Sequence, residues 1–373
     1  MSETTDRRMT LVTSEDDALF VEIEAAVAHV VLDRPKVINA LNDAMKSTLA
    51  EALPQLSRDP KLYAVVIRSA TDRGFCAGGD VRELTALGRS DLAAAKRSLA
   101  QEYRLNWQLE CFYKPTAALI DGMMMGSGVG LTMYSTHRVA GDNYVFAMPE
   151  TAVGLFPDVG VAHRLAALPD EVGMYLGLTG RSIGRADAYA LGLVTHCIPV
   201  ARYSEVIAEL ADAQTIDPTL DSRHQDPGRA PISSYRSVIA EVFSAPTVEE
   251  IIERLERKAR QPSEFDEWSR AVLTDLQARS PTSLKVTLRH IRESASRDLR
   301  QTLMADYRLG CRFLEAFDFY EGVRALLIDK DGRPKWQPSK LKDVSNAEID
   351  AYFAPLGEEE LELPTKDYVT VDQ

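Results

Sequence analysis

Two runs of small residues constrain this chain most, because each separates a strand-like segment from a helix-like one. The first run, GFCAGGDVREL, covers residues 74–84, and the second, MMMGSGVGL, covers residues 123–131. A helix begins with backbone N–H groups that have no partner inside the helix. Small side chains let an oxygen of another molecule reach those groups. Two such loops predict a site that holds one oxygen from two sides.

Strand-like and helix-like segments alternate along the first two hundred residues. We predict a hairpin in ALFVEIEAAVAHVVLDRP, a helix in INALNDAMKSTLAEALPQLSRD, and buried strands in YAVVIRSA and KPTAALIDG. Such alternation is typical of an α/β fold with a mainly parallel sheet. Short strands before the loops also suit a coil of repeated ββα units.

The pattern changes after residue 200, where helical segments dominate and strand-like runs vanish. The segment DPTLDSRHQDPGRAPISS is rich in Pro, Asp and Ser, which favours a linker. We therefore predict a disordered tail over residues 1–18, a core with the active site over residues 19–200, and a helical C-terminal region over residues 201–373.

Composition narrows the function classes. The formal net charge of −13 argues against a protein that binds nucleic acids or anionic membranes in general. The four cysteines form no C-x-x-C pair, which favours a reducing compartment over a disulfide framework. The N-terminal sequence has no apolar signal core, so we expect a cytoplasmic protein without a membrane partner. The histidines are spread along the chain without metal-ligand spacing, so we expect no metal site. The sequence has no G-x-x-x-x-G-K-[ST] nucleotide loop, and we expect no separate cofactor.

The two loops contain the candidate hydrogen-bond donors. The amides of Gly79, in the first loop, and Ser127, in the second, are placed to point at a shared carbonyl oxygen. Two such donors make an oxyanion hole, and removing one typically costs roughly 3–4 kcal/mol of transition-state stabilisation. The alternative is that the glycines only permit tight turns and close packing.

Three acidic residues are candidates for proton transfer. Glu150 and Asp158 lie in FAMPETAVGLFPDVG, where apolar neighbours are expected to desolvate a carboxylate and raise its pKa. The alternatives are a helix cap for Glu150 and a turn residue for Asp158. Glu102, in a long helical segment, is the third candidate; taken alone it reads as a solvated surface residue.

Several motifs together resemble the crotonase (enoyl-CoA hydratase/isomerase) superfamily: RPKVINAL, RGFCAGGD, DGMMMGSGVGL and MPETAVGLFPDVG. The last of these, with SPTSLKVTLR, DYRLGCRF and DFYEGVRALLIDKDGRPKW near the C-terminus, resembles one branch, the 3-hydroxyisobutyryl-CoA hydrolases. The resemblance covers roughly residues 20–360. It implies an α/β fold with a crotonase-like spiral of ββα units and a helical C-terminal region.

The resemblance also implies an activity and a set of site residues. An acyl-CoA thioester would place its carbonyl oxygen between the amides of Gly79 and Ser127. The branch's substrate-contacting acids fall on Glu102, Glu150 and Asp158. The expected reaction is hydrolysis of 3-hydroxyisobutyryl-CoA in valine catabolism, with coenzyme A as part of the substrate. Other crotonase reactions, and a catalytically inactive CoA-binding protein, are the alternatives.

Two positions depart from the common pattern of the superfamily. The second loop usually reads G-G-G, and here its middle residue is Ser127, whose β-carbon is expected to narrow the pocket. The hydratases hold a water between two glutamates 20 residues apart; Glu150 matches the later one, but the earlier position is Gly130. Loss of that acid favours thioester hydrolysis over addition of water to a double bond.

The anionic CoA needs basic contacts, and three lysines are candidates for them. The resemblance places Lys36 where the family contacts the nucleotide, while Lys330 and Lys335 lie in the C-terminal segment. Each of them also reads as an ordinary surface lysine. The resemblance implies a homo-oligomer, although the extended helical C-terminus would cover the usual interface, so the oligomeric state stays open.

Overall fold

The computed structural model of the chain describes residues 8–366. The strands are β1 (Arg8–Thr13), β2 (Leu19–Glu24), β3 (Val27–Leu32), β4 (Ala64–Ser69), β5 (Thr116–Ile120), β6 (Met123–Met125), β7 (His137–Ala140), β8 (Val145–Ala147), β9 (Ile183–Gly184) and β10 (His196–Cys197).

Helices surround these strands and fill most of the chain after β10. They are α1 (Asp43–Arg58), α2 (Val81–Ser90), α3 (Leu92–Cys111), α4 (Ser127–Thr132), α5 (Val161–Ala166), α6 (Val172–Thr179), α7 (Arg185–Ala190), α8 (Tyr203–Ala211), α9 (Ile216–Asp221), α10 (Arg236–Phe243), α11 (Val248–Arg260), α12 (Asp266–Ala278), α13 (Pro281–Ser294), α14 (Leu299–Phe313), α15 (Phe317–Val323) and α16 (Asn346–Phe353). Within residues 8–366, no helix is long and apolar enough to cross a membrane.

Two sheets form the α/β core. The larger has seven strands in the order β1-β2-β3-β4-β5-β7-β10, antiparallel up to β3 and parallel from there on. The smaller has three strands in the order β6-β8-β9. The chain passes from β5 to β6 and from β7 to β8, so it visits the two sheets in turn. This path confirms the predicted α/β fold and agrees with a coil of ββα units.

The C-terminal helices pack onto this core. Helix α14 packs against α3, and α13 packs against α5 and α6. Buried side chains of the sheet and of these helices belong to one continuous apolar cluster, which includes Val30, Leu288 and Leu303. The helical region therefore shares its core with the sheet, and its helices reach the back of the loops described below.

The expected disordered tail is wrong for residues 8–18. Strand β1 pairs with β2 in antiparallel register, with Thr13 opposite Phe20. The amide of Leu19 donates to Ser14 Oγ (2.9 Å), which closes the turn between the strands. The β-branched residues of TLVT suit such an edge strand. The rest of the predicted tail, residues 1–7, lies outside the described residues.

The expected linker after residue 216 is also wrong in its first part. Helix α9 forms there, and Ile216 and Leu220 are buried against the strand residues Val27 and Val66. The two apolar residues are four positions apart, so they lie on one helical face. The Pro and Asp content hid this short amphipathic pattern.

Candidate active site

The two small-residue loops lie side by side. The amide of Cys76 donates to the carbonyl of Met123 (2.9 Å), and the amide of Met125 donates to the carbonyl of Cys76 (3.0 Å). A Cβ added to Gly79 would lie 2.9 Å from Ser127 Oγ. The structure therefore brings Gly79 and Ser127 together, although they are far apart in sequence.

Glycine is required at Gly126, directly before Ser127. Its φ is +46°, and a Cβ there would lie 3.0 Å from Glu150 Oε1. A side chain would be strained in this conformation and would press against the carboxyl group. The second loop can therefore run close to Glu150 only because it lacks a side chain at this position.

The amides of Gly79 and Ser127 are left free by the surrounding turns. Among residues 8–366, neither amide donates a hydrogen bond to another described group. Their neighbours do: Asp80 N–H donates to Leu41 O (2.8 Å), and Val129 N–H donates to Gly126 O (2.8 Å). Two unpaired donors on adjacent loops are the arrangement that an oxyanion hole needs. Their role in catalysis stays a prediction.

Glu150 follows β8 and opens a short 3-10 turn after Pro149. The side chain is buried, and its Oε2 atom has no hydrogen-bond partner among the described residues. Burial raises the pKa of Glu150 to about 8, since the charged form loses its hydration. A carboxyl group with this pKa can take up or release a proton near neutral pH.

Asp158 lies near Glu150 and accepts a hydrogen bond from the hydroxyl of Tyr103 at Oδ2 (2.8 Å). Burial, followed by the negative charges of Glu102 and Glu150, holds the pKa of Asp158 well above its usual range. The Tyr103 hydrogen bond opposes this shift only in part. The protonated form of Asp158, which can donate a hydrogen bond, is therefore favoured by its surroundings.

Glu102 is buried on α3, so its reading as a surface residue is wrong. Its Oε2 lies 3.5 Å from Lys46 Nζ, while Oε1 has no hydrogen-bond partner among the described residues. Burial alone would lower the pKa of Lys46, but the charges of Glu102 and Asp43 raise it overall. Lys46 thus stays charged beside Glu102, a partner that the sequence analysis missed because it lies on a different helix.

Gly130 has no room for the acid that the hydratases carry at this position. A Cβ added there would lie 2.9 Å from Asn106 Nδ2 and 2.9 Å from Val159 Cβ. Asn106 Nδ2 also donates to the Gly130 carbonyl (3.1 Å). The space of the missing carboxylate is therefore filled by α3 and by the segment after Asp158.

The three candidate lysines for CoA are exposed: Lys36, Lys330 and Lys335. Lys36 lies beside the first loop, since the amide of Ala77 donates to Ile38 O (2.8 Å). The segment before Lys330 reaches the helix after that loop, because Arg82 donates to the carbonyl of Leu327. None of the three ammonium groups forms an ion pair with another residue of 8–366. Their contacts with CoA stay a prediction.

Three of the histidines, spread along the sequence, are close together in the fold. The ring of His196 lies 5.9 Å from His137 and 5.9 Å from His224. His137 pairs with Asp217 (3.0 Å), and His196 pairs with Asp221 (3.1 Å). Within the described part of the chain, no group of three or more His, Cys, Asp or Glu side chains is arranged to hold a metal ion.

Replacing Glu150 by Gln should remove a pH-dependent loss of stability. Unfolded, the carboxyl group ionises near pH 4.5; folded, it keeps its proton up to about pH 8. Between these values the folded chain holds more protons, so its free energy of unfolding falls as the pH rises. Gln has no such proton. We expect the difference between the Tm of Glu150→Gln and the Tm of the wild type to increase by at least ~3 °C between pH 5 and pH 8. A Tm difference that stays constant over this range would contradict the raised pKa.

Comparisons with known proteins show the family of the chain. The family model for enoyl-CoA hydratase/isomerase matches residues 27–353. The chain is 38% identical over 366 residues to the mitochondrial 3-hydroxyisobutyryl-CoA hydrolase of Xenopus tropicalis, which covers 95% of this chain and 94% of that protein. It is also 38% identical over 370 residues to 3-hydroxyisobutyryl-CoA hydrolase 1 of Arabidopsis thaliana, covering 96% and 97%.

Solved structures share the fold over nearly the whole chain. A carnitinyl-CoA dehydratase from Mycobacterium thermoresistibile is 35% identical, with a TM-score of 0.86 over 93% of this chain and 98% of that one. An enoyl-CoA hydratase from Rhodobacter sphaeroides is 33% identical, with a TM-score of 0.86 over 93% and 100%. The match of the family model, the identities and the fold agree. The chain belongs to the enoyl-CoA hydratase/isomerase family.

Proposed function

We propose that this chain is a thioester hydrolase that converts 3-hydroxyisobutyryl-CoA and water into 3-hydroxyisobutyrate and CoA. One observation carries the choice of reaction: the buried Glu150 carboxyl, with one unpaired oxygen, lies against the loops of Gly79 and Ser127, while Gly130 leaves no room for an acid at the other position that the hydratases use. The acyl group is supported by the names of the relatives from Xenopus tropicalis and Arabidopsis thaliana.

The thioester carbonyl lies between the amides of Gly79 and Ser127. As water attacks the carbonyl carbon, the oxygen gains negative charge, and the two N–H groups stabilise that charge. Glu150, once ionised, takes a proton from the attacking water. The tetrahedral intermediate then breaks its carbon–sulfur bond, and the CoA sulfur leaves as a thiol with the proton that Glu150 took from the water.

Glu150 has a second chemical route in the same geometry. Its carboxylate attacks the carbonyl carbon, CoA leaves, and water hydrolyses the resulting mixed anhydride. A single turnover in water labelled with oxygen-18 separates the two routes. The anhydride route can carry labelled oxygen into the Glu150 carboxyl group, whereas general-base catalysis leaves it unlabelled.

The remaining acids have a binding role. A protonated Asp158 donates a hydrogen bond to the substrate hydroxyl or to the leaving sulfur, while Glu102 accepts one from the hydroxyl. Lys46 stabilises the negative charge of Glu102, because Lys46 Nζ lies 3.5 Å from Glu102 Oε2. This polar corner suits a β-hydroxyacyl group better than an unsaturated hydrocarbon chain, which has no hydroxyl to pair with buried acids.

The names of the solved structures do not argue against hydrolysis. They are a dehydratase and a hydratase, and one fold supports several reactions through changes in the site. Hydration holds a water between two acids, one of which exchanges a proton with the α-carbon. With a glycine at the first position, the water on Glu150 has no second carboxylate and attacks the polarised thioester carbon.

The decisive test supplies 3-hydroxyisobutyryl-CoA and crotonyl-CoA to the purified protein in parallel. Free thiol is followed with a disulfide dye, and loss of the enoyl double bond by ultraviolet absorbance. We expect thiol release from the hydroxyacyl substrate to be at least ~100-fold faster than hydration, about 2.7 kcal/mol in transition-state terms. Rapid loss of the enoyl signal without thiol release would make the chain a hydratase. No reaction with either substrate, or with other acyl-CoAs, would favour an inactive CoA-binding protein.

Location and assembly belong to the same proposal. We place the enzyme in the cytoplasm; its four cysteines are buried free thiols, which suits a reducing compartment. The name of the Xenopus tropicalis relative includes the word mitochondrial, and that word describes the location of the relative. Fractionation of cells that express the tagged chain tests the location, and light scattering of the purified protein gives its oligomeric state.

A further inference from the structure

The turn that follows Asp158 is strained. Val159 has a φ of +54° and is completely buried. A β-branched residue in this left-handed region is a genuine outlier, and such strain persists only where the surroundings hold it in place. The next residue, Gly160, also has a positive φ of +77°. The backbone therefore needs external contacts to keep Asp158 in position.

Two side chains supply those contacts. Asp306 Oδ2, on α14, accepts a hydrogen bond from the Gly160 amide (2.6 Å). The hydroxyl of Tyr134 donates to the Val159 carbonyl. The strained turn is thus held at both ends of one peptide group, the one that joins Val159 to Gly160, and one of the two contacts comes from the C-terminal helical region.

Asp306 is itself oriented by a histidine. His290 Nε2, on α13, lies 2.6 Å from Asp306 Oδ1, and both residues are fully buried. The ring of His290 packs edge-on against Phe156 at 5.5 Å. An ionised carboxylate can only accept hydrogen bonds, so with Asp306 ionised Nε2–H of His290 is the donor to Oδ1. Both oxygens of Asp306 are then paired, which a buried carboxylate requires.

We propose that Asp306, oriented by His290, is a positioning residue for the reaction: it holds the strained Val159–Gly160 turn and thereby keeps Asp158 against the Tyr103 hydroxyl. The assay of this role rests on the proposed thioester hydrolysis. In this proposal neither Asp306 nor His290 contacts the substrate. Their effect on the reaction passes through the peptide group of Gly160.

The charge of Asp306 has a second effect on the same turn. The groups that act on Asp158 are Glu102 and Tyr103 of α3, Glu150, and Asp306 itself. After burial and the two glutamates, Asp306 also raises the pKa of Asp158. A neutral residue at position 306 should therefore let Asp158 lose its proton at a lower pH.

The test compares Asp306→Asn with Asp298→Asn, the same change at the exposed cap of the same helix. Asn also caps helices well, so the control should keep normal kinetics. For Asp306→Asn we expect a kcat at least ~10-fold lower and a KM within about threefold. We also expect the descending limb of the pH profile, where Asp158 loses its proton, to move to lower pH. A folded Asp306→Asn variant with unchanged kcat and pH profile, or with only a lower Tm, would overturn the proposal.

A second pair of variants tests the proposal even if Asp306→Asn does not fold. His290→Gln keeps an N–H donor for Asp306, whereas His290→Leu does not. We expect the Gln variant to keep kcat within about threefold and the Leu variant to lose at least ~10-fold. Equal kcat values in the two variants would also overturn the proposal.

Hydrogen exchange separates this proposal from the proposed function. The Gly160 amide should exchange faster in Asp306→Asn than in Asp298→Asn, whatever substrate the enzyme takes. Faster exchange together with a wild-type enzyme that releases no thiol would reject the hydrolase and leave the turn contact standing. Unchanged exchange at Gly160 would reject the positioning role.

Discussion

Glu150→Gln is expected to lower kcat for thiol release from 3-hydroxyisobutyryl-CoA at least ~100-fold while KM stays within about threefold. The carboxylate acts on the water or the carbonyl carbon in the transition state, and the amide of Gln can do neither. Substrate binding should survive, because the two side chains have nearly the same size. Steady-state kinetics with the disulfide dye measures both constants.

The pH dependence of the wild type checks the same role. Glu150 must lose its proton to act, and its pKa is about 8, so kcat/KM should rise with pH up to that value. A matched control is Asp187→Asn. Burial also raises the pKa of Asp187, and it accepts from the Ile232 amide (2.8 Å) at a place the mechanism does not use. Normal turnover is expected in this control. Near-normal turnover in Glu150→Gln would remove Glu150 from the mechanism.

Ser127→Pro should abolish thiol release, whereas Ser127→Gly should keep kcat/KM within about tenfold. Proline has no N–H group, so one of the two donors to the oxyanion is lost, at a cost of roughly 10²–10³-fold in rate. Glycine keeps the amide and removes only the β-carbon and the hydroxyl. Thiol release by the two variants under saturating substrate gives the comparison.

The proline variant is expected to fold. Ser127 is the first residue of α4, the helix position that tolerates proline best. Gly126 before it has the freedom that a residue preceding proline needs. Ser127→Ala is the control for the lost hydroxyl, and Tm values check that each variant is folded. A folded proline variant with wild-type thiol release would show that this amide is outside the oxyanion hole.

Much of the site could be predicted because its chemistry is carried by short local motifs. The small residues around Gly79 and around Ser127 form two contiguous runs, and each run lies at the start of a helix. Glu150 and Asp158 share one apolar segment, so their desolvation could be predicted from their neighbours alone. The alternation of strands and helices predicted the α/β fold for the same reason, since each element carries its own hydrophobic period.

Other parts could not be predicted from local pattern. Residues 8–13 fell inside the expected disordered tail, because strand β1 is recognisable only through its pairing with β2. Glu102 looked solvated because the neighbours that bury it, and Lys46 beside it, come from other elements. Asp306 and His290 gave no signal as site residues, since each lies on a helix that meets the Val159–Gly160 turn only after folding.

The sequence by itself determined the fold class, the two small-residue loops, the acids that follow them and the absence of a side chain at Gly130. These depend on residue identity and spacing over a few positions. The tertiary structure alone decided that Gly79 lies beside Ser127, that Asn106 and Val159 fill the space at Gly130, and that Asp306 reaches the Gly160 amide. These contacts join segments far apart in the chain, and only the packing of the loops and helices around the sheets sets their distances.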